Sequence, residues 1–411
     1  MRMLSSPSVT DAPGFLAAGV AAGIKAAGAL DLALVASEVD CAAAAVFTQN
    51  RFAAAPVLYD RAVLAANAGG IRAVAINSGC ANACTGDEGM ARARRMAEAV
   101  ERALGLRRSS CLVMSTGVIG VQLPLEKIER GIAAAAAQLS REGGAAAARA
   151  IMTTDTRPKT AGAQIVLNGE TVTIAGMCKG AGMIHPNMAT MLALVCSDVA
   201  ITPAALASAT RWAADSSFNA VTIDGDTSTN DTLAVLANGL AGNDLIADTA
   251  SASYGAFMEG LAAVCVDLAQ QIARDGEGAT KFVTIRVTGA RDDADAQRAA
   301  HAVANSPLVK TAIYGGDANW GRILCAVGYS GAEVDSQRTS LFFAAPAAGL
   351  GWLQVVENGQ PLCYSEEAAT ARFAADEIAI RVELGLGAGE ATVWTCDLSH
   401  AYVDINGHYR T

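Results

Sequence analysis

Residues Lys179–Asp198 read KGAGMIHPNMATMLALVCSD, a loop of small residues that empties into an apolar run. Gly180 and Gly182 admit backbone angles closed to other residues, and Pro186 pushes His185 out of the helical region. Met191 to Cys196 is six apolar residues in a row, the pattern of a strand buried on both faces. Thr190 stands at the boundary and opens that strand. On one reading it is a β-branched strand start whose hydroxyl bonds to the preceding loop. On the other, a cut at Ala189–Thr190 mounts it as an N-terminal nucleophile, because cleavage frees an α-amine beside the hydroxyl. Such an amine titrates at about 7.7–8.0, near working pH, and can take the proton that keeps a threonine hydroxyl a poor nucleophile. One residue then supplies both nucleophile and base.

The rest of the composition narrows the context. A chain of 411 residues that is 52% hydrophobic can fill two or three cores. With 30 basic against 40 acidic residues the formal net charge is −10, which repels phosphate backbones and anionic lipid and argues against nucleic-acid binding. The ten cysteines (41, 80, 84, 111, 178, 196, 265, 325, 363 and 396) are scattered, mostly in apolar runs, without a C-x-x-C, and read as reduced core residues. Cys80 and Cys84 lie far in sequence from the histidines (185, 301, 400 and 408), so a structural zinc site is not expected. The Ala- and Gly-rich stretch from Ala12 to Ala36 is interrupted by Lys25 and Asp31 and reads as neither signal peptide nor membrane span. A cytoplasmic location is the consistent expectation.

In chain order, Val20 to Lys25, Leu32 to Glu38 and Ala42 to Thr48 read as strands. Ile71 to Ile76 is another, running into the polar loop NSGCANACTG (Asn77–Gly86) and then an amphipathic helix to Leu104, an α/β layer. In CLVMSTGVIG (Cys111–Gly120) four apolar residues enter a Ser-Thr-Gly corner. There Thr116 offers a hydroxyl, and Gly117 lets its N–H approach a ligand with no Cβ in the way, as an oxyanion hole requires. Ile128 to Met152 reads as two helices broken at Gly143-Gly144, and Thr153–Thr156 forms a polar knot before Pro158. Asn168-Gly169 marks a hairpin within Val166–Met177. In VTIDGDTSTNDT (Val221–Thr232) the calcium-loop template fails: counted from Asp224, position six is Thr229 rather than Gly, and position twelve is Val235 rather than Glu. The motif reads instead as the capped start of a helix near Thr232. Glu277 sits between two glycines in RDGEGATK, and the composition changes after Lys281, so residues 1–281 and 282–411 are expected as two domains. The tail CDLSHAYVDINGHYRT starts as an alternating strand and ends in polar residues.

The quoted segment resembles the self-processing junction of the ornithine acetyltransferases, the ArgJ family of bifunctional glutamate N-acetyltransferases, whose pattern KGAGM-x-x-P-x-(L/M)-ATML it matches at every fixed position. The resemblance extends over NSGCANACTG, STGVIG, MTTDT, DGDTSTNDT, RDGEGATK, NSPLVKTA, NWGR and the C-terminal tail. Cys80 and Cys178 depart from the residues that many members carry there. The family implies an αββα sandwich of the N-terminal-nucleophile type with a smaller C-terminal α+β domain. It implies Thr190 as nucleophile, Thr116 and Gly117 as oxyanion donors, and cleavage between Ala189 and Thr190. Thr153, Lys179, Thr190, Glu277, Asn406 and Thr411 are the substrate contacts it implies, with Lys179 suited to an α-carboxylate and the tail folded into the active site. The activity implied moves acetyl from N2-acetylornithine to glutamate through an acetyl-threonine in an α2β2 heterotetramer, without organic cofactor or metal. Some members also use acetyl-CoA. An N-terminal-nucleophile aminopeptidase or amidase is the competing function, and a non-catalytic calcium-binding protein a remote one.

Overall fold

The computed structural model describes residues 1–26, 28–185 and 191–408. They form two compact units: Met1–Asn219 with Asp226–Gln271, and Ala220–Gly225 with the chain from Ile272 onward.

In the first unit the apolar run becomes a strand in which every residue is buried. The strands are β1 (Arg2–Met3), β2 (Phe15–Val20), β3 (Leu32–Phe47), β4 (Ile71–Cys80), β5 (Cys111–Val118), β6 (Lys159–Leu167), β7 (Glu170–Lys179), β8 (Leu192–Ser197) and β9 (Thr232–Ala237). The helices are α1 (Ala55–Asn67), α2 (Gly86–Leu104), α3 (Leu125–Ala136), α4 (Gly144–Ala150), α5 (Pro203–Asp215) and α6 (Ala252–Arg274). The path is β1-β6-β7-β8-β9-β3-β4-β5, with β2 also on β3. The length of β3 makes two layers of this path. Its residues 32–36 pair with β4 and its residues 42–47 with β9, and the register slips between Ala36 and Cys41, where residues 38–40 are exposed. Leu192, Leu194 and Cys196 of β8 share one core with Ile71, Val74 and Met114 of the other layer. The opposite face of the same layer meets α6: a Cβ on Gly176 of β7 would lie 3.0 Å from Val195 and 3.2 Å from Leu268. Helices α3 and α4 lie on β2 and β3, α1 and α2 on β5, and α5 on β3 and β9. The unit is an αββα sandwich.

Local chemistry explains the agreements with the sequence reading. Asn168 and Gly169 both take positive φ, at 51° and 94°, and turn β6 into β7 with Leu167 facing Glu170. The Thr202 side chain accepts from Ala205 N–H and Pro203 fills the first turn, which together start α5. Helix α6 is long and apolar enough to cross a membrane by composition alone, yet Phe257, Leu261, Val264 and Leu268 are buried.

Three expectations are corrected. The strand expected at Val20–Lys25 ends at Val20, because Asp31 captures the next residues as a loop: Ala22 N–H donates to Oδ1 at 2.6 Å, and Ile24 and Lys25 N–H to Oδ2 at 2.6 and 2.9 Å. The helix expected from Thr232 is the strand β9, since TLAVLA is an uninterrupted apolar run that pairs in parallel with β8. The alternation in the tail stops at Cys396, and residues 400–408 are helical.

The second unit has its own core and a six-stranded sheet. Its strands are β10 (Phe282–Ala290), β11 (Ser340–Ala345), β12 (Leu350–Glu357), β13 (Gln360–Pro361), β14 (Glu377–Glu383) and β15 (Gly389–Cys396), in the order β13-β12-β11-β14-β10-β15. The helices are α7 (Asp293–Asn305), α8 (Pro307–Tyr314), α9 (Trp320–Gly328), α10 (Glu366–Phe373) and α11 (His400–His408). Phe282 opens the first long strand, while the unit itself begins at Ile272 and takes in Ala220–Gly225. That short segment is held by Thr222, whose N–H donates to Trp394 O at 3.0 Å and whose hydroxyl donates to Asn305 Oδ1 at 2.6 Å.

Candidate active site

The Ser-Thr-Gly corner lies at the C-terminal ends of two parallel strands. Ser78 of β4 faces Thr116 of β5, and Gly79 faces Gly117, after which the register shifts at Cys80. Both glycines are required. Gly117 has φ 129°, and a Cβ on it would fall 2.4 Å from the Gly79 carbonyl carbon; Gly79 has φ 102°, and its Cβ would fall 3.0 Å from Ile24. Ser115 donates to Asn77 Oδ1 at 2.6 Å, and Asn77 Nδ2 to Cys80 O at 2.9 Å. Asn230 Nδ2 bonds to Ala81 O at 2.7 Å and to Ser115 O at 2.8 Å, so it pins the carbonyl directly before Thr116.

The polar knot and the glycine loop meet at one carboxyl. Asp155 Oδ2 accepts the Thr153 N–H at 3.0 Å, and its Oδ1 accepts Gly180 N–H at 2.7 Å and Lys159 Nζ at 2.6 Å. The side chains of Asp155 and Lys159 are wholly buried. Burial by itself would raise the Asp155 carboxyl, but Lys179 and Lys159 outweigh it and hold the group at about 2. Lys25 closes the cluster: its Nζ donates to Met152 O at 2.6 Å and Leu30 O at 3.0 Å. Burial lowers its pKa and the Lys179 charge adds to this, with Asp31 and Asp155 opposing. The Thr153 backbone and the loop after Lys179 therefore meet at Asp155. Asp155, Lys159 and Lys25 have no site role in the sequence reading, which places Asp155 in the polar knot and Lys25 in the Ala- and Gly-rich stretch; the Asp-x-x-x-Lys spacing of Asp155 and Lys159 is the signal for their pairing.

Ala189 and Thr190 lie outside the described residues, but the residue that follows them is fixed. Met191 N–H donates to Asp231 Oδ1 at 3.0 Å, and its carbonyl accepts from Thr232 N–H at 3.1 Å. Residues 228–231 are held in turn: Thr48 hydroxyl donates to Ser228 O at 2.6 Å, Ala54 N–H to Thr229 O at 2.8 Å, and Thr48 N–H to Asp231 O at 2.9 Å. Asn230 and Asp231 of this motif thus bind backbone groups of Ala81, Ser115 and Met191. Among the described residues no group of three or more His, Cys, Asp and Glu side chains is placed to hold a metal ion. His185 is the nearest histidine to Thr190 in sequence, and burial lowers its pKa against the opposing charge of Asp226.

In the second unit Glu277 and Asn406 are partners. Asn406 Nδ2 donates to Glu277 Oε2 at 2.7 Å, and Glu277 is buried. Gly278 has φ 69°, and a Cβ there would fall 2.5 Å from Tyr402 N, so the glycine after Glu277 lets α11 sit against this loop. Ser399 hydroxyl donates to Gly278 O at 2.6 Å, and Asp397 accepts from Thr280 N–H at 2.8 Å and Lys281 N–H at 3.0 Å. The CDL and RDGEGATK motifs are therefore one locked assembly. Thr411 lies outside the described residues.

Residues 16–411 match the sequence model described as the ArgJ family. The arginine biosynthesis bifunctional protein ArgJ of Symbiobacterium thermophilum is 54% identical over 405 residues, covering 98% of each chain. The mitochondrial protein of the same name from Aspergillus clavatus is 50% identical over 416 residues, covering 97% of this chain and 91% of that one. Among solved structures, the arginine biosynthesis bifunctional protein argJ of Bacillus halodurans is 43% identical, with a TM-score of 0.48 over 52% of this chain and 96% of that chain.

Proposed function

The chain belongs to the ArgJ family, and from that premise we propose that Thr190 is the residue that carries the acetyl group during catalysis. The protein is an acetyltransferase of arginine biosynthesis that moves acetyl from N2-acetylornithine to glutamate. In the uncut chain Thr190 Oγ attacks the Ala189 carbonyl, the resulting ester hydrolyses, and the freed α-amine becomes the base for Thr190. Thr190 then takes acetyl from acetylornithine, ornithine leaves, and glutamate takes the acetyl from threonine. Thr116 and Gly117 donate to the oxyanion of each tetrahedral intermediate. Lys179 and Thr153 bind the α-carboxylate end of either substrate. Glu277, Asn406 and Thr411 complete the substrate contacts.

Nucleophile, base and oxyanion donors are all groups of the chain, so the reaction calls on no metal or organic cofactor. Acetyl-CoA enters only as an alternative acetyl donor, in keeping with relatives that are named bifunctional. Two cut chains assemble as α2β2 in the cytoplasm. The observation that carries this reading is the likeness over essentially the whole chain, 54% identity across 98% of it. Purified protein given acetylornithine should produce N-acetylglutamate only when glutamate is present. Release of free acetate without dependence on glutamate would make it an N-terminal-nucleophile amidase, and acetylation of glutamate from acetyl-CoA would establish the second activity.

A further inference from the structure

Lys25 touches both the oxyanion corner and the polar knot. Its stem lies against the corner: a Cβ on Gly79, the residue that faces Gly117, would fall 3.2 Å from Lys25 Cγ and 3.7 Å from Lys25 N. Its ammonium lies at the knot, where Nζ donates to Met152 O at 2.6 Å and to Leu30 O at 3.0 Å. Met152 O belongs to the same peptide group as the Thr153 N–H that Asp155 accepts, so Lys25 and Asp155 hold that peptide from its two ends. A lysine ammonium carries three N–H donors. Two are engaged by these carbonyls, and the third has no partner among the described residues.

The charges around Lys25 favour an anion there. Burial lowers its pKa, and the Lys179 charge lowers it further against Asp31 and Asp155. Both carboxylates are already engaged: Asp31 accepts the N–H groups of Ala22, Ile24 and Lys25, and Asp155 accepts those of Thr153 and Gly180 together with Lys159 Nζ. A carboxylate on Lys25 is attracted by Lys179 as well. The acetyl donor says where such a carboxylate has to lie. In N2-acetylornithine three bonds separate the acetyl carbonyl carbon from the α-carboxylate carbon, a span of at most about 4 Å. The carboxylate site therefore adjoins the oxyanion donors, and Lys25 is packed on that corner.

We propose that Lys25 is a further substrate-binding residue, its third Nζ–H donating to the α-carboxylate of the amino-acid substrate. The inference rests on the reading of Thr116 and Gly117 as oxyanion donors and of Lys179 and Thr153 as the α-carboxylate site.

The test compares N2-acetylornithine with its α-carboxamide, which keeps the acetyl group and the shape but carries no carboxylate charge. The ratio of kcat/KM for the two, measured on one preparation, does not depend on how much of the protein is folded. Lys25→Met is expected to narrow the wild-type ratio by about 10–100-fold, the loss of one charge-assisted contact, with KM for acetylornithine raised. Lys25→Gln keeps a donor for the Met152 and Leu30 carbonyls without the charge, and is expected to narrow the ratio likewise. A folded Met or Gln variant with the wild-type ratio would overturn the proposal and leave Lys25 as a lacing between residues 30 and 152. Failure of both variants to fold would overturn it too, since Lys25 would then be a scaffold residue. If wild type itself takes the carboxamide as readily as acetylornithine, the α-carboxylate reading of Lys179 fails instead, and this inference goes with it.

Discussion

Asp155 accepts the backbone N–H of Gly180 at 2.7 Å while accepting that of Thr153 at 3.0 Å, so one buried carboxylate ties the glycine loop after Lys179 to the polar knot twenty-five residues upstream. The Lys179 charge helps to hold Asp155 ionised against burial.

Lys179→Ala should weaken donor and acceptor alike, because acetylornithine and glutamate present the same α-carboxylate. Loss of a charge-assisted contact costs ~1.5–3 kcal/mol, roughly ten- to a hundredfold in kcat/KM. Steady-state kinetics with each substrate varied in turn checks this, and wild-type values for both would make Lys179 a structural charge only.

The depressed carboxyl of Asp155 makes a stability prediction with a definite sign. Its folded pKa of about 2 lies below the ordinary value of 3.8, so the stabilisation is fully present above the unfolded value and is lost as pH falls from near 4 through 2. The shift corresponds to about 2–3 kcal/mol. Urea unfolding of wild type from pH 5 to 2 should show that loss. Asp155→Asn should lack it while being less stable at neutral pH by about 3–5 kcal/mol, since Lys159 is left buried without its carboxylate.

Gly117→Ala places a methyl 2.4 Å from the Gly79 carbonyl carbon at a φ of 129°. The strain should cost about 1–3 kcal/mol in unfolding experiments. Displacement of the oxyanion corner should lower kcat by up to about 10²–10³-fold. Retention of wild-type turnover by a strained but folded variant would remove this corner from the reaction.

Asn406→Ala and Glu277→Gln should be non-additive, because Asn406 Nδ2 donates to Glu277 Oε2 at 2.7 Å. A double-mutant cycle on KM for each substrate should return a coupling of about 0.5–3 kcal/mol.

How far these relationships were legible in the sequence depended on whether they are local. The core strand β8 could be read from Met191–Cys196 because six apolar residues bounded by a loop leave few alternatives, and the hairpin because Asn168-Gly169 supplies its own turn. Strand β9 was missed although TLAVLA has the same character, because the Asp and Asn residues ahead of it are also helix-capping types. Here those side chains bind the backbone of other strands, as Asn230 does to Ser115 O across 115 positions. The Lys25–Met152 bond spans 127 positions and carries no periodic signal. Glu277 and Asn406, 129 positions apart, entered through the family resemblance, and their hydrogen bond came only with the fold.

The mass of the purified protein, before and after exposure to N2-acetylornithine, tests the central claim most directly. Wild type should give fragments of 189 and 222 residues, the larger beginning TMLALV and gaining one acetyl group on its first residue. Thr190→Ala should remain a single inactive chain of 41.7 kDa, and Thr190→Ser, which keeps a hydroxyl, should still cut. Wild-type protein that stays uncut yet transfers acetyl at full rate would contradict the mechanism, because no free amine would then exist beside the hydroxyl and another base, His185 first among them, would have to take its place.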